Sequence, residues 1–377
     1  MDGKILQLLA ENPRNISAIA RKLNLPIESV RYRVKKLLDE NLVRVFAVPN
    51  HPKLGLIVHR VFLESKLNRT LEGMIDKCPY VSYLTRCYGH VNGYFLSILA
   101  PRDKSECIFS YLEQLVNRNY AKRYVAVPNL PLSYLLPDFS YYDFKERTWK
   151  CQWDRFLKCI LNDGWCAPTA LPQQVALDHN DILIIQELQI DATVSLTELA
   201  NKLGLSVTCI RYHFLTHIVE RGLVRFAVTY LPYPGLPISV FMLSLRERRF
   251  ANSFIKCLRG LPPALGASPS PDGSSLTLLL QAPAEVKLGF YEALKHLMDL
   301  DIISSYFEVV LDPRYVRRYT IPGPEYYHAG RWVARGAYTL PEATDVERET
   351  RPPRPRVETR TTITNPLQHE PPRRSEA

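Results

Sequence analysis

The stretch Leu23-Asn24-Leu25-Pro26-Ile27-Glu28-Ser29-Val30-Arg31-Tyr32-Arg33-Val34-Lys35-Lys36 decides how this chain folds. Pro26 has no backbone N–H to donate, so it suits the first turn of a helix and no later position. From there Ile27, Val30, Val34, Leu37 and Leu38 fall on one helical stripe. Glu28, Ser29, Arg31, Tyr32, Arg33, Lys35 and Lys36 fall largely outside it. Upstream, Ile16, Ile19, Ala20 and Leu23 recur at the spacing of an amphipathic helix. Ile5, Leu6, Leu8 and Leu9 fit a further short helix closed by Asn12-Pro13. Downstream, Asn41 suits a left-handed cap, and Leu42 to Val48 reads as a strand. Three short helices and a strand make a winged helix-turn-helix. Its third helix offers cations and donors to the major groove while the other two hold its apolar face.

The pattern returns at a constant offset of 180 residues as Leu203-Gly204-Leu205-Ser206-Val207-Thr208-Cys209-Ile210-Arg211-Tyr212-His213-Phe214. Ser195-Leu196-Thr197-Glu198 before it is a capping box, and Ser206 is a better helix cap than Pro26. Gly222 stands one position past the counterpart of Asn41, and Phe226-Ala227-Val228 repeats Phe46-Ala47-Val48.

Each helical unit is followed by an alternation of strands and helices. In the first, strands are expected at Leu56–Leu63, Val81–Cys87, Gly93–Leu99 and Ala121–Val127, with helices at Leu71–Cys78 and Ser105–Asn117. In the second, strands at Ile238–Leu245, Ser275–Gln281 and Ile303–Leu311 accompany helices at Phe250–Leu258 and Glu285–Met298; Pro262–Ser274 is too rich in Pro, Gly and Ser to assign. The order β-α-β-β-α-β is the ferredoxin-like split arrangement.

The fold class is therefore α+β, in seven segments. They are a winged helix-turn-helix at 1–50, a ferredoxin-like domain at 54–128, and an aromatic, Pro-rich linker at 129–176. A second winged helix-turn-helix follows at 177–230 and a second ferredoxin-like domain at 236–312. An aromatic extension at 313–338 and a disordered tail at 339–377 close the chain. Within the linker, Trp153, Phe156, Leu157, Ile160 and Leu161 form one face of a short helix ended by Asp163-Gly164, expected to pack on a domain. Tyr141-Tyr142 followed by Trp149 is echoed by Tyr326-Tyr327 followed by Trp332.

A chain of 377 residues exceeds one ordinary core. Its net charge of +10 favours a polyanionic partner, nucleic acid first. The eight cysteines show no Cys-x-x-Cys pair and no nearby His at zinc-finger spacing, and read as small buried hydrophobes. No nucleophile–base pair, metal cluster or phosphate loop emerges, so no catalytic residue, metal or cofactor is expected. Without a signal segment or an apolar run of the ~18 residues a membrane span needs, a cytoplasmic protein with no membrane partner is expected.

Leu177-Asp178-His179-Asn180-Asp181-Ile182-Leu183 and Leu199-Ala200-Asn201-Lys202-Leu203-Gly204-Leu205-Ser206 closely resemble the Lrp/AsnC family of prokaryotic transcription regulators. The resemblance covers roughly residues 2–128 and 177–312, and a fusion of two such subunits looks most like an archaeal protein. It implies a DNA-binding regulator reading double-stranded DNA with helices at Pro26–Leu38 and Ser206–Ile218. It also implies pairing of the ferredoxin-like domains, as an intramolecular pseudo-dimer or a homo-oligomer. The residues expected on DNA are Ser29, Arg31, Tyr32, Arg33, Lys35, Lys36 and Arg44, then Thr208, Arg211, Tyr212 and His213. The family places a small-molecule effector near a Gly-x-x-Asp turn. Gly89-His90-Val91-Asn92 stands there with Asn92 replacing the carboxylate, and Pro271-Asp272-Gly273-Ser274 does not keep the pattern.

Two other readings share the scaffold. RNA binding or protein docking would use Tyr32, Tyr212 and the aromatic linker for stacking. Siroheme decarboxylases are built on the same two domains, but the tryptophan- and histidine-bearing loop of that family is missing; the nearby Arg86, Tyr88 and His90 read as structural.

Overall fold

In the computed structural model the described residues are 2–340, apart from 12, 41–42, 137, 144–147, 163–170, 231–232, 234, 259–260, 335, 337 and 339. The expected cap at Asn41, the helix stop at Asp163-Gly164 and the tail beyond residue 340 lie outside them.

The first half runs α1 (Asp2–Glu11), α2 (Ile16–Leu23), α3 (Ile27–Asp39), β1 (Val43–Pro49) and β2 (Leu56–Glu64), then α4 (Arg69–Lys77), β3 (Val81–Gly89), β4 (Gly93–Pro101), α5 (Cys107–Asn117) and β5 (Arg123–Asn129). Next come β6 (Ser133–Tyr134), a small hairpin of β7 (Tyr142–Asp143) and β8 (Thr148–Trp149), and α6 (Trp153–Asn162). The second half opens with α7 (His179–Ile190), α8 (Leu196–Leu203), α9 (Val207–Tyr212) and β9 (Val224–Tyr230). It continues as β10 (Ile238–Leu245), α10 (Phe250–Leu258), β11 (Ala264–Pro269), β12 (Ser275–Leu280), α11 (Ala284–Asp299) and β13 (Ile303–Arg318), and ends in a hairpin of β14 (Tyr327–His328) and β15 (Arg331–Trp332). The elements match the expected periods closely. Three differ: β11 occupies the stretch left unassigned, β13 runs past Leu311 to Arg318, and the helix expected over Ser206–Ile218 is α-helical only as far as Tyr212.

Nine strands form one sheet in the order β5-β2-β4-β3-β13-β10-β12-β11-β6. Within each half the fourth, first, third and second strands of the βαββαβ run lie side by side in that order. The halves join where β3 pairs antiparallel with β13 (Leu311 opposite Cys87). At the far edge β6 pairs with β11, Tyr134 opposite Gly266. Each half thus lends the chain that follows its last strand to the second strand of the other.

Alternating residues bury both sheet faces. On one side α4 and α5 join α7, α8 and the C-terminal extension in a core that includes Tyr80, Tyr111, Ile184, Leu188, Trp332 and Leu340. Leu340, counted with the tail by sequence, belongs to that core. On the helix-free face Phe62 meets Phe307 from the other half, ring centroids 5.0 Å apart. Helix α6 packs on α10 and α11, as its apolar stripe requires, with Phe156 and Ile160 buried and Trp153 against Phe290 at 5.8 Å. Leu161, expected on that stripe, is instead largely exposed at the outer edge of the helix. A Cβ on Gly289 of α11 would stand 2.3 Å from the Trp153 indole nitrogen, so only glycine admits that ring. Cys159 and Cys257 are disulfide-bonded, tying α6 to α10. That corrects the expectation that every cysteine is a lone buried hydrophobe; a bridge between residues 98 positions apart leaves no local trace. The two aromatic echoes are matching hairpins, Tyr142 opposite Trp149 and Tyr327 opposite Trp332, with ring centroids 5.0 Å apart in both.

Candidate nucleic-acid interface

Asn15 caps α2 by accepting from Ala18 N at 2.9 Å. Asn24, at φ 53°, then turns the chain in the left-handed region that Asn tolerates. Pro26 supplies no side-chain cap to α3, as its chemistry dictates. Val30 and Val34 are buried against α1 and α2, contributing about 1.5–3 kcal/mol each when fully withdrawn from water. Ile27, expected on the same stripe, is 42% exposed because the first turn projects beyond the packed face. The opposite face is open: Ser29, Arg31, Arg33, Lys35 and Lys36 are exposed, and Tyr32 is 69% exposed.

The cations on this face are held in check. Arg31 pairs with Glu28, Arg33 with Asp2 at 2.9 Å and Lys36 with Glu40 at 3.8 Å. Among the described residues no carboxylate faces Lys35. Exposed pairs like these are worth only ~0.2–1 kcal/mol, so a phosphate can displace the carboxylate.

The second unit begins better capped. Ser195 and Glu198 form the expected reciprocal box at α8, and Ser206 accepts from Cys209 N at 3.1 Å. Gly204 takes the left-handed position of Asn24, at φ 65°. Thr208, Arg211 and Tyr212 are exposed, Tyr212 at 55%. The helix expected over Ser206–Ile218 is not α-helical throughout: after Tyr212 it widens to a π-helix over His213–Val219. His213, expected on DNA, is instead turned inward. His213 Nδ1 donates to Asp181 Oδ1 at 2.9 Å, and His217 Nδ1 donates to the same oxygen at 3.0 Å. Asp178 and Asp181 form a second, unforeseen capping box at the start of α7. The signals for this cluster were the i, i+4 spacing of His213 and His217 and the Asp-x-x-Asp of residues 178–181.

Strands β1 and β9 pair with each other, so neither wing stands alone. Phe46 lies opposite Ala227 and Ala47 opposite Phe226. Under the offset of 180 residues each strand faces its own counterpart, the self-complementary register of a two-fold contact. Ala192 N donates to Val45 O at 3.1 Å, and Arg14 lies over the Phe214 ring at 4.5 Å while its Nε donates to Ala192 O at 3.1 Å. The two units are fastened together. Arg44, expected on DNA, is part of this junction: it lies opposite Thr229, half-buried, with its guanidinium 5.7 Å from the Phe46 ring. Burial first, and then the charge of Arg318, bring it down to about 10.

At the expected effector turn Asn92 bonds back onto Gly89, accepting from its N–H at 3.3 Å and donating to its carbonyl at 3.1 Å. Gly93, at φ 151°, lies so close to Leu63 O that a Cβ would stand 2.3 Å from it. Gly89 and Asn92 thus serve the turn itself. Asp272 does the same for its loop, accepting from Ser274 N at 3.1 Å. Arg86 is taken by buried Glu72 at 3.0 Å, and His90 stacks on Phe307 at 4.8 Å, so these residues belong to packing.

A family profile described as winged helix-turn-helix DNA-binding matches the chain twice, over residues 1–44 and 177–214. An uncharacterized HTH-type transcriptional regulator of Pyrococcus furiosus is 42% identical over 57 residues, which span 15% of this chain and 38% of that protein. A second P. furiosus HTH-type regulator is 31% identical over 110 residues, 28% of this chain and 72% of its own length. Among solved structures, the siroheme decarboxylase NirDL aligns over 82% of this chain and 89% of its own at 14% identity and TM-score 0.44. The leucine response regulatory protein LrpA of Mycobacterium tuberculosis aligns over 34% of this chain and 88% of its own at 15% identity and TM-score 0.26. Both likenesses are too remote to speak of chemistry.

Proposed function

The chain belongs to the HTH-type transcriptional regulators, and from that premise we propose that it is a sequence-specific DNA-binding regulator of the Lrp/AsnC type, built as a pseudo-dimer within one polypeptide. In this reading each half is a winged helix-turn-helix followed by a ferredoxin-like domain, derived by duplication. We keep the segment boundaries expected from sequence as part of this reading, with β1 and β9 shared between the two helical units. The self-complementary β1–β9 register supports it.

One observation carries the proposal. Helix α3 turns Ser29, Arg31, Tyr32, Arg33, Lys35 and Lys36 to solvent while Val30 and Val34 anchor its other side. That is the arrangement a helix needs to enter a major groove. Thr208, Arg211 and Tyr212 offer a second, less cationic helix. The preferred site is then an imperfect palindrome whose half-sites lie about one helical turn apart, with α3 providing most of the affinity. His213 and Arg44 are not part of this surface. Control by a small molecule is not assigned to the Gly89–Asn92 turn, whose amide is already bonded.

Binding of the full chain to genomic duplex fragments, single-stranded DNA and RNA at matched salt tests the reading. Preference for particular duplexes supports it. Exposed Tyr32 and Tyr212 also suit stacking on unpaired bases, and equal or tighter binding to single strands would replace it with that alternative.

A further inference from the structure

Two histidines and two aspartates meet where the first helix of the second unit touches its recognition helix, and we propose that they form a binding site for a divalent transition-metal ion of the zinc class. Asp178, Asp181, His213 and His217 each offer one ligand atom, and these atoms all lie within 4.8 Å of one another. His213 Nδ1 stands 2.9 Å from Asp181 Oδ1 and 3.3 Å from Asp178 Oδ2; His217 Nδ1 stands 3.0 Å and 3.7 Å from the same two atoms. A tetrahedral ion with bonds of about 2.0–2.1 Å to nitrogen and oxygen separates its ligands by about 3.3–3.4 Å. The four measured edges bracket that value, so side-chain adjustments of a few tenths of an ångström admit an ion.

Charge points the same way. Asp181 is 1% exposed, His213 10% and His217 14%, and among the described residues no Lys or Arg pairs with either aspartate. The Asp181 carboxylate, in so dry a place, calls for a countercharge. A divalent cation supplies it while the imidazoles act as neutral ligands. Asp178, at 45% exposure, leaves a way in from solvent.

The donor set of two nitrogens and two oxygens, without thiolate, suits zinc, cobalt or nickel better than copper(I) or calcium. When Nδ1 takes the ion, His213 Nε2 carries the proton. Asn180, whose amide nitrogen is 3.4 Å from it, then turns its oxygen to accept that proton and fixes the ring. The π-helix matters as well, because π segments recur at functional sites. Here it presents His213 and His217 together to the start of α7.

The first unit shows what such an ion would do. Under the offset of 180 residues Arg33 stands where His213 does, and it ties α3 to α1 through Asp2 at 2.9 Å. The metal site is the second unit's version of that tie. It sets the recognition helix of the second unit, and only that one, according to whether an ion is bound.

The test is metal binding to the intact chain, and it does not depend on DNA. Chelator-stripped protein is titrated with Co2+ alone and followed by visible absorption, then challenged with Zn2+. The expected result is a single equivalent per chain with the intense d–d bands of a tetrahedral site, displaced by Zn2+. His217→Gln leaves the capping box of Asp178 and Asp181 intact and should weaken binding by at least about tenfold, and Asn180→Ala by a smaller factor. Circular dichroism confirms that both variants fold. Absence of saturable Co2+ binding by the wild type at stoichiometric concentration overturns the proposal, as does unaltered affinity in folded His217→Gln.

Discussion

Replacing Arg31 and Arg33 together by alanine removes half of the four exposed cations on α3. Each phosphate neutralised on duplex DNA adds about 0.9 to the slope of log affinity against log salt, so losing two contacts should flatten that slope by about 1.8. The gap between wild type and variant then shrinks by about 12-fold as salt rises from about 50 to about 200 mM, because a fourfold change is raised to that power. The ion pairs sharpen the expectation. Glu28 holds Arg31, and Asp2 holds Arg33 at 2.9 Å, so each arginine must exchange a carboxylate for a phosphate. Glu28→Gln and Asp2→Asn should therefore tighten DNA binding, each by about 1.4- to 5-fold, the equivalent of ~0.2–1 kcal/mol. Fluorescence anisotropy on one labelled duplex across a salt series measures all of these. An unchanged slope in Arg31→Ala/Arg33→Ala, or weaker binding by Asp2→Asn, would refute the assignment of α3 as the principal DNA-facing helix.

Other consequences of the structure are open to simple measurements. Burial, then Arg60 and Arg225, push His51 down to about 3, and burial pushes His59 down to about 4. Both stay neutral when folded but take a proton below pH ~6.5 when unfolded, so stability is complete above that pH and declines as pH falls. Denaturant unfolding between pH 7 and 5 should register a loss approaching ~1.4 kcal/mol per pH unit for His59, and His59→Leu should lessen it. At lower pH the Glu72 carboxylate contributes in the same direction. Its burial would raise it, but the hydroxyls of Tyr315 and Tyr94 and the Arg86 guanidinium hold it below its ordinary value, so its stabilisation is lost as it protonates. Gly289→Ala ought to destabilise the protein, although the same change in an open helix stabilises by about 0.5–1 kcal/mol; a raised melting temperature would deny the Trp153 contact. Cys159→Ser/Cys257→Ser should lower the denaturation midpoint by the equivalent of up to about 4–5 kcal/mol, the loop-closure value for ~100 residues, and an unmoved midpoint would argue against the bridge.

The secondary structure was legible because two periods are written plainly in the chain. Ile16, Ile19, Ala20 and Leu23 show the helical one, and β10 and α10 fell at their expected bounds. The caps at Ser195 and Ser206 were equally local. What escaped is what depends on distant partners. Nothing in Val43–Pro49 says that its mate is Val224–Tyr230, so Arg44 was given to DNA when the strand pairing places it at the junction. His213 was misplaced because the register of an α-helix was carried past Tyr212. The wider π turn rotates the later residues, and Asp181, 32 positions earlier, captures both imidazoles.

The pairing of β1 with β9 also bears on how the chain comes to be folded. During synthesis β1 emerges early, yet its partner does not exist until residue 230 has been made. The long interval leaves an unpaired strand edge, which is an aggregation hazard, and such non-local pairings fold slowly. The same holds for β3, which awaits β13. A half-length nascent chain therefore carries two sticky edges that are quenched only by its own second half, or prematurely by the first half of a neighbouring copy. Joining both halves in one polypeptide raises the local concentration of the correct partner, and favours self-completion over exchange between molecules.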